Sequence, residues 1–440
     1  MFPTSGLVYS ARRHFVAGVL LWGLLPLPGH AQQEPAVPEH LQQEPAVPRH
    51  PLDAAAGQAL FERHWIPAPA STAASDGLGP FYNARACVTC HPGGGRGVEL
   101  QALTLRSNDP VYGRQLQPLA LAGLKPELSY TLSYTPTSIE LSPSRRGGPP
   151  RPPVSGVAPQ SPANPHHQPL EQLQVQFTSL RYGPLQSPWS ARLAPSLFGV
   201  GLLQQIDASV LQALADPDDR DGDGISGRVS QVPAADGTLV AGRFGWKAEL
   251  PDLLTQTASA FSLDLGLGSP LYPAAHGDCS AVQLDCLQQV PGTATGPAAT
   301  EVDTELLQLV LAYLESLPPP VSRVDLAGLA LFERSGCARC HVPSLPGAAG
   351  PVAAFSDLLL HDMGQGLADA FTPESAGARE WRTAPLWGLG SASRLLHDGR
   401  AGTIEAAILW HGGEAEVARD RFLTLPPGEK RQLLDFLKGL

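Results

Sequence analysis

Two strings decide how this chain is to be read: AGQALFER at residues 56–63 and AGLALFER at 327–334, identical at seven of eight positions. Each precedes a Cys-x-x-Cys-His, namely Cys87-Val88-Thr89-Cys90-His91 and Cys337-Ala338-Arg339-Cys340-His341. A repeat on this scale means one structural unit used twice. Further along, each half carries an Arg-x-Ala-Pro turn running into Gly-x-Gly, from Arg192 to Gly201 and from Arg382 to Gly390. Each half also closes on an amphipathic helix. The first spans Asp303 to Leu317 with Asp303 as N-cap; the second spans Glu429 to Leu440 with Leu433, Leu434, Leu437 and Leu440 on one face. Pro318-Pro319-Pro320 separates the halves, because helices rarely continue through such a run. The expected units are therefore residues 52–317 and 321–440.

The first unit is the longer because of insertions. Around 128–141 and 171–182, LSYTLSY and LQVQFTSLRY alternate with period two and read as strands. Between them, residues 142–168 are rich in Pro, Ser and Arg and read as a long surface loop. Residues 1–31 have the pattern of a secretory signal: Arg12 and Arg13, an apolar stretch from Phe15 to Leu25, then Gly29-His30-Ala31. No cysteine follows that cleavage site, so lipid attachment is not indicated there. Residues 32–51 repeat QQEPAVPEHL as QQEPAVPRHP, a composition that cannot bury enough surface to fold and reads as a disordered spacer. Export to a bacterial periplasm is the expectation.

Composition narrows the partners. The 440 residues carry a formal charge of −11, which argues against a nucleic-acid ligand. No apolar run reaches the roughly 18 residues a membrane span requires. With 45 Gly and 45 Pro the chain is loop-rich, yet it stays below the proportion that signals wholesale disorder.

The cysteines carry the chemistry. Two thiols in Cys-x-x-Cys-His can bond to the two vinyl groups of a haem, and the adjacent histidine becomes the proximal iron ligand. That assigns Cys87, Cys90, Cys337 and Cys340 to attachment, and His91 and His341 to iron. A redox Cys-x-x-Cys would be expected beside a βαβ pattern, which is lacking. A zinc site drawing on both strings is the other alternative. The duplicated arrangement of helix, motif and closing helix is that of a cytochrome c unit. The expected fold is thus mainly α: two cytochrome c-like haem domains, the first enlarged by a small β insertion and long loops. Cys279 and Cys286 have no adjacent histidine and lie in one loop, HGDCSAVQLDC; in an oxidising compartment they read as a local disulfide.

Function turns on the sixth iron positions. Only two methionines exist and Met1 leaves with the signal, so Met363 is the sole thioether candidate. His411, 70 residues after His341, fits the usual position ahead of the last helix better than Met363, 22 residues after; Met363 remains the alternative. His361 and His397 read as hydrogen-bonding or propionate-contact residues. Laying TIEAAILWH (403–411) against DLLTQTASA (252–260) puts Ala260 opposite His411. The first iron then has no sixth side chain, and an open iron beside a closed one makes a peroxidase-like pair.

The strings GLGPFYNARACVTCHPGGGRG (77–97), DPDDRDGDGISGR (216–228), WRTAPLWGLG (381–390) and LLHDGRAGTIEAAILWHGGEA (395–415) resemble the bacterial di-haem oxidoreductase family, over nearly all of residues 52–440. More distantly the chain looks like di-haem cytochrome c peroxidases and the di-haem enzyme that matures methylamine dehydrogenase. The resemblance implies a reactive N-terminal haem and a C-terminal relay whose sixth ligand falls at His411. It also implies a tryptophan between the haems and a glutamine ten residues on, matched here by Trp246 and Gln256. A distal glutamate ten further would fall at Gly266; Asp264 is the nearest substitute.

One further motif stands apart. Asp219, Asp221, Asp223 and Gly224 match positions 1, 3, 5 and 6 of a calcium loop, with the Ile225 carbonyl at position 7. Ser230 replaces the usual bidentate Glu at position 12, and a plain acidic turn is the alternative. The expected activity is reduction of hydrogen peroxide at the first haem, with a cytochrome c or cupredoxin as electron donor. A pure electron-transfer cytochrome and an oxygenase or protein-modifying di-haem enzyme are the competing expectations.

Overall fold

The repeated octapeptide is helical in both halves, and its glycine explains why it recurs. Helices α1 (Pro51–Glu62), α2 (Leu253–Leu265), α3 (Thr304–Ser316), α4 (Leu326–Arg334), α5 (Ile404–Leu409) and α6 (Pro427–Gly439) frame the site. Gly57 of α1 lies against α3, where an added Cβ would fall 1.9 Å from the Leu309 carbonyl oxygen. Gly328, the equivalent residue of α4, lies against α6, where a Cβ would fall 2.4 Å from the Phe436 Cβ. The Leu-Phe pairs that follow, Leu60-Phe61 and Leu331-Phe332, are buried in both copies. Phe61 packs on Tyr313 at 5.1 Å between ring centroids, and Phe332 on Phe436 at 5.6 Å.

The closing helices follow their sequence signals. Asp303 caps α3 by accepting from the Leu306 amide at 2.8 Å, and Leu307, Val310, Leu311 and Leu314 form its buried stripe. Pro427 opens α6 at N1, where its missing N–H costs nothing, and Leu433, Phe436 and Leu437 face inward. Overpacking at such crossings costs about 1–3 kcal/mol. Gly57→Ala and Gly328→Ala should each destabilise by that amount in denaturant titrations. Gly428→Ala, with no atom within 4 Å of the new Cβ, should not.

The computed structural model describes residues 51–71, 75–97, 100–137, 170–234, 237–292 and 300–440. The signal segment 1–31, spacer residues 32–50 and the loop 142–168 lie outside the described residues.

The expectation of a mainly α fold is corrected: helix accounts for 33% and strand for 19%, the strands lying in many small sheets. Strands β1 (Leu103–Asp109), β2 (Gly113–Leu116), β3 (Leu128–Thr137), β4 (Leu170–Leu180) and β5 (Trp189–Leu193) belong to the first half. Strands β6 (Leu360–Asp362) and β7 (Glu380–Arg382) belong to the second. β1 is the centre of a three-stranded antiparallel sheet with β2 and β5, with Leu105 opposite both Leu116 and Ala191. β3 and β4 form a long hairpin ribbon from Leu128↔Leu180 to Thr137↔Leu170, and β6 pairs with β7 through His361↔Trp381. β structure is therefore not confined to one insertion. The physical reason lies in the 45 glycines and 45 prolines, which cut helices short and leave extended segments to pair locally. Leu105, Leu116, Leu128 and Leu193 form a core for this β layer, separate from the helical core around Phe61 and Leu311.

Candidate functional site

The first Cys-x-x-Cys forms a single helical turn, and the His91 amide donates to the Cys87 carbonyl at 3.0 Å. Burial, and after it the nearby Asp264 carboxylate, pushes the Cys87 and Cys90 thiols up to about 12. Burial does the same at Cys337 and raises Cys340. Redox-active Cys-x-x-Cys pairs work through the opposite shift. Among the described residues no cluster of metal-ligand groups joins the two strings.

Cys90 and His91 line a cavity of about 180 Å³. α2 presents Gln256, Ala260 and Asp264 to it, residues at i, i+4 and i+8 and hence on one helix face. Trp246 also lines it, so the structure brings together Cys90, His91, Trp246, Gln256 and Asp264. Burial lowers the pKa of His91 to about 4, leaving a neutral imidazole at physiological pH. Asp264 is shifted the other way, upward, by burial; Gln115, donating to Oδ1 at 2.5 Å, and the charge of Arg106 only partly offset this. Trp246 donates from Nε1 to the Leu193 carbonyl at 2.8 Å and joins a buried cluster with Trp381 and Trp410.

The match between α2 and α5 extends to their caps. Asp252 accepts from the Thr255 amide and Thr403 from the Ala406 amide, so each helix is capped at the same offset. Ala260 and His411 each lie eight residues past their cap, Ala260 within α2 and His411 just beyond the end of α5.

At the second site the His341 and His411 rings face each other with centroids 6.5 Å apart. An imidazole nitrogen sits about 2 Å from a transition metal, so two rings clasping one ion place their centroids roughly 6 Å apart. His341 Nδ1 donates to the Phe355 carbonyl at 2.9 Å and His411 Nδ1 to the Ala407 carbonyl at 2.7 Å. Carbonyls only accept, so both rings carry their proton on Nδ1 and offer Nε2 as a lone pair. Burial lowers the pKa of both, His341 to about 4. Met363 packs instead against the cluster of Trp381, Leu409 and Trp410.

The remaining histidines have other partners. His361 lies between Asp357 (2.9 Å to Nε2) and Glu414 (2.7 Å to Nδ1), with Cys340 Sγ at 3.7 Å. Burial alone would lower its pKa, but Asp357, Cys340 and Glu414 together raise it to about 12. His397 stacks on Trp381 at 3.8 Å, and Lys247 Nζ lies 4.0 Å from the centroid of the same tryptophan ring. Cys279 and Cys286 are joined in a disulfide. In the acidic loop, the carboxylates of Asp219, Asp221 and Asp223 lie within 4.8 Å of one another. The loop is held by its own amides: Gly224 donates to Asp219, and Ile225 to Asp223 at 2.8 Å. Asp223 is also ion-paired with Arg339 of the second Cys-x-x-Cys-His, so a cation there would compete with a guanidinium.

Sequence reasoning passed over the charged lining of the first cavity: Arg96, Arg106, Arg192, Arg382 and Glu249. A signal was present for two of them, because Arg192 and Arg382 head the two Arg-x-Ala-Pro turns. Arg192 is ion-paired with buried Asp369.

Half-buried histidines that each follow a cysteine pair, and a cavity lined by several guanidinium groups, fit a family of haem proteins. The family model described as "Di-haem oxidoreductase, putative peroxidase" matches residues 164–440, and the chain belongs to that family. It is accordingly a haem-binding oxidoreductase. No curated protein matches it. Among solved structures, hydrazine synthase of Kuenenia stuttgartiensis is similar at 22% identity over 32% of this chain, with a TM-score of 0.24. The match spans only 57% of that chain. A MauG-like protein associated with microbial copper homeostasis is 15% identical over 56% of this chain and 88% of its own, with a TM-score of 0.26. Likenesses this loose add nothing to the family assignment. Among the described residues no helix is long and apolar enough to cross a membrane.

Proposed function

We propose that this chain is an exported, periplasmic di-haem c-type oxidoreductase that reduces hydrogen peroxide at the His91 site. Electrons arrive one at a time from a small redox protein, a cytochrome c or cupredoxin, by way of the His341/His411 site. Attachment is through thioethers at Cys87 and Cys90 and at Cys337 and Cys340. The observation that carries the reading is an asymmetry: the His411 ring lies 6.5 Å from the His341 ring, whereas the cavity of His91 is lined by Ala260, the residue at the same offset from its helix cap. A methyl group there leaves room for a small oxidant; an imidazole would close it.

Bound haem iron supplies the redox chemistry, and the polypeptide positions the substrate and the protons. The Gln256 amide faces the cavity and can hold a peroxide oxygen by hydrogen bonding. Asp264, kept toward its protonated form by burial, can donate its proton to the departing oxygen as the O–O bond breaks. Two electrons and two protons convert one peroxide to two waters. Trp246, buried between this cavity and the cluster holding Trp410, the neighbour of His411, supports an electron path between the sites.

Optical and EPR spectra of the oxidised protein test the reading. One site should be six-coordinate and low-spin, and the other should exchange added ligands once the relay site is reduced. Two closed, non-exchangeable irons would instead make the protein an electron shuttle. Intact mass should equal the polypeptide plus two haems that resist acid–acetone extraction.

A further inference from the structure

Arg96 and Arg382 meet at the wall of the His91 cavity, one from each half of the chain. Each has a terminal guanidinium nitrogen, NH1, that is shut off from solvent and has no hydrogen-bond partner among the described residues. Neither forms an ion pair among those residues, although Glu249 and Asp357 act on Arg382 from longer range. They also repel each other: burial first, and then the charge of Arg382, lowers the pKa of Arg96 to about 10. Two unpaired cations side by side, each with a nitrogen shut off from solvent, are costly unless an anion completes the site. Their positions are nonetheless fixed. Arg382 donates from Nε to the Gly245 carbonyl at 2.9 Å and from its amide to the Trp246 carbonyl at 3.0 Å. The Arg96 guanidinium lies over the Trp246 ring, 5.3 Å from its centroid.

We propose that Arg96 and Arg382 form a carboxylate clamp whose ligand is the propionate pair of the haem that His91 would hold. Guanidinium groups suit this task because they present fixed, planar donors to carboxylates. The inference rests on the reading of His91 as a haem site. It adds two consequences. Filling the clamp ties the His91–Gly97 string of the first half to β7 of the second, so the first cofactor site is complete only when both halves are docked. It also braces Trp246, which touches both arginines.

The test uses the holoprotein with Arg96→Met, Arg382→Met, the double variant and Arg382→Lys. The readouts are the midpoint potential of the first haem and its propionate bending bands in resonance Raman spectra. A cation beside the propionates favours the reduced, less positive iron. The midpoint should therefore fall in each Met variant and fall furthest in the double variant. The propionate bands should shift, and Arg382→Lys should restore most of the potential. A double variant that keeps both haems attached with unchanged potential and bands overturns the clamp. If added succinate perturbs the wild-type spectrum and not that of the double variant, the pair binds a free dicarboxylate and the propionate assignment is overturned. A wild-type mass showing one haem, attached at Cys337 and Cys340 alone, is a different failure: it removes the His91 reading itself.

Discussion

His411→Ala should convert the second site from low-spin to high-spin and let it bind carbon monoxide when reduced, whereas Met363→Ala should leave it low-spin. The expectation rests on two rings with centroids 6.5 Å apart, each tied through Nδ1 to a backbone carbonyl, which leaves Nε2 as the free lone pair. Removing one ring leaves the other oriented by Phe355, so haem attachment should survive while the sixth position opens. Met363 packs against the Trp381/Trp410 cluster. The change of ligand also moves the potential of the relay. Peroxide turnover should fall by about tenfold or more, equivalent to ~1.4 kcal/mol of barrier. A low-spin spectrum retained in His411→Ala and lost in Met363→Ala would reverse the assignment.

Ala260→His should do the converse at the first site. Residue 260 lies eight positions past the cap at Asp252, as His411 does past Thr403, and it lines the His91 cavity, so an imidazole there should reach into that cavity. The cavity already accepts the neighbouring long side chains Gln256 and Asp264 on the same helix face, so a histidine has space to enter. The variant should show two low-spin irons, no ligand exchange after partial reduction and peroxide turnover at background. Electron uptake from the donor should be intact, because the second site is untouched. Full peroxidase activity in Ala260→His would show that α2 does not cover the open coordination position.

These two substitutions test different parts of the inference from sequence. The Cys-x-x-Cys-His strings and the AGxALFER repeat were legible because each has a strict local requirement. The first needs fixed spacing between thiols and imidazole; the second needs a glycine where helices touch, as Gly57 and Gly328 do. The proportion of strand was not legible. Short ribbons such as β6–β7 have only three residues per strand, and their stability comes from what they pack against rather than from their own alternation. Glu249 and Arg106 escaped notice for a similar reason. No motif contains them, and only the packing of β1 and the loop after Trp246 brings them to the cavity.

By itself, then, the sequence displayed the repeated octapeptide, the two Cys-x-x-Cys-His strings and the scarcity of thioether ligands, because these depend on spacing and residue type. Tertiary structure decided which side chains share a site: His411 with His341, Ala260 with His91, and Arg96 with Arg382 across the two halves. Such meetings join residues tens to hundreds of positions apart. They are set by how helices and strands pack, and no local pattern along the chain records them.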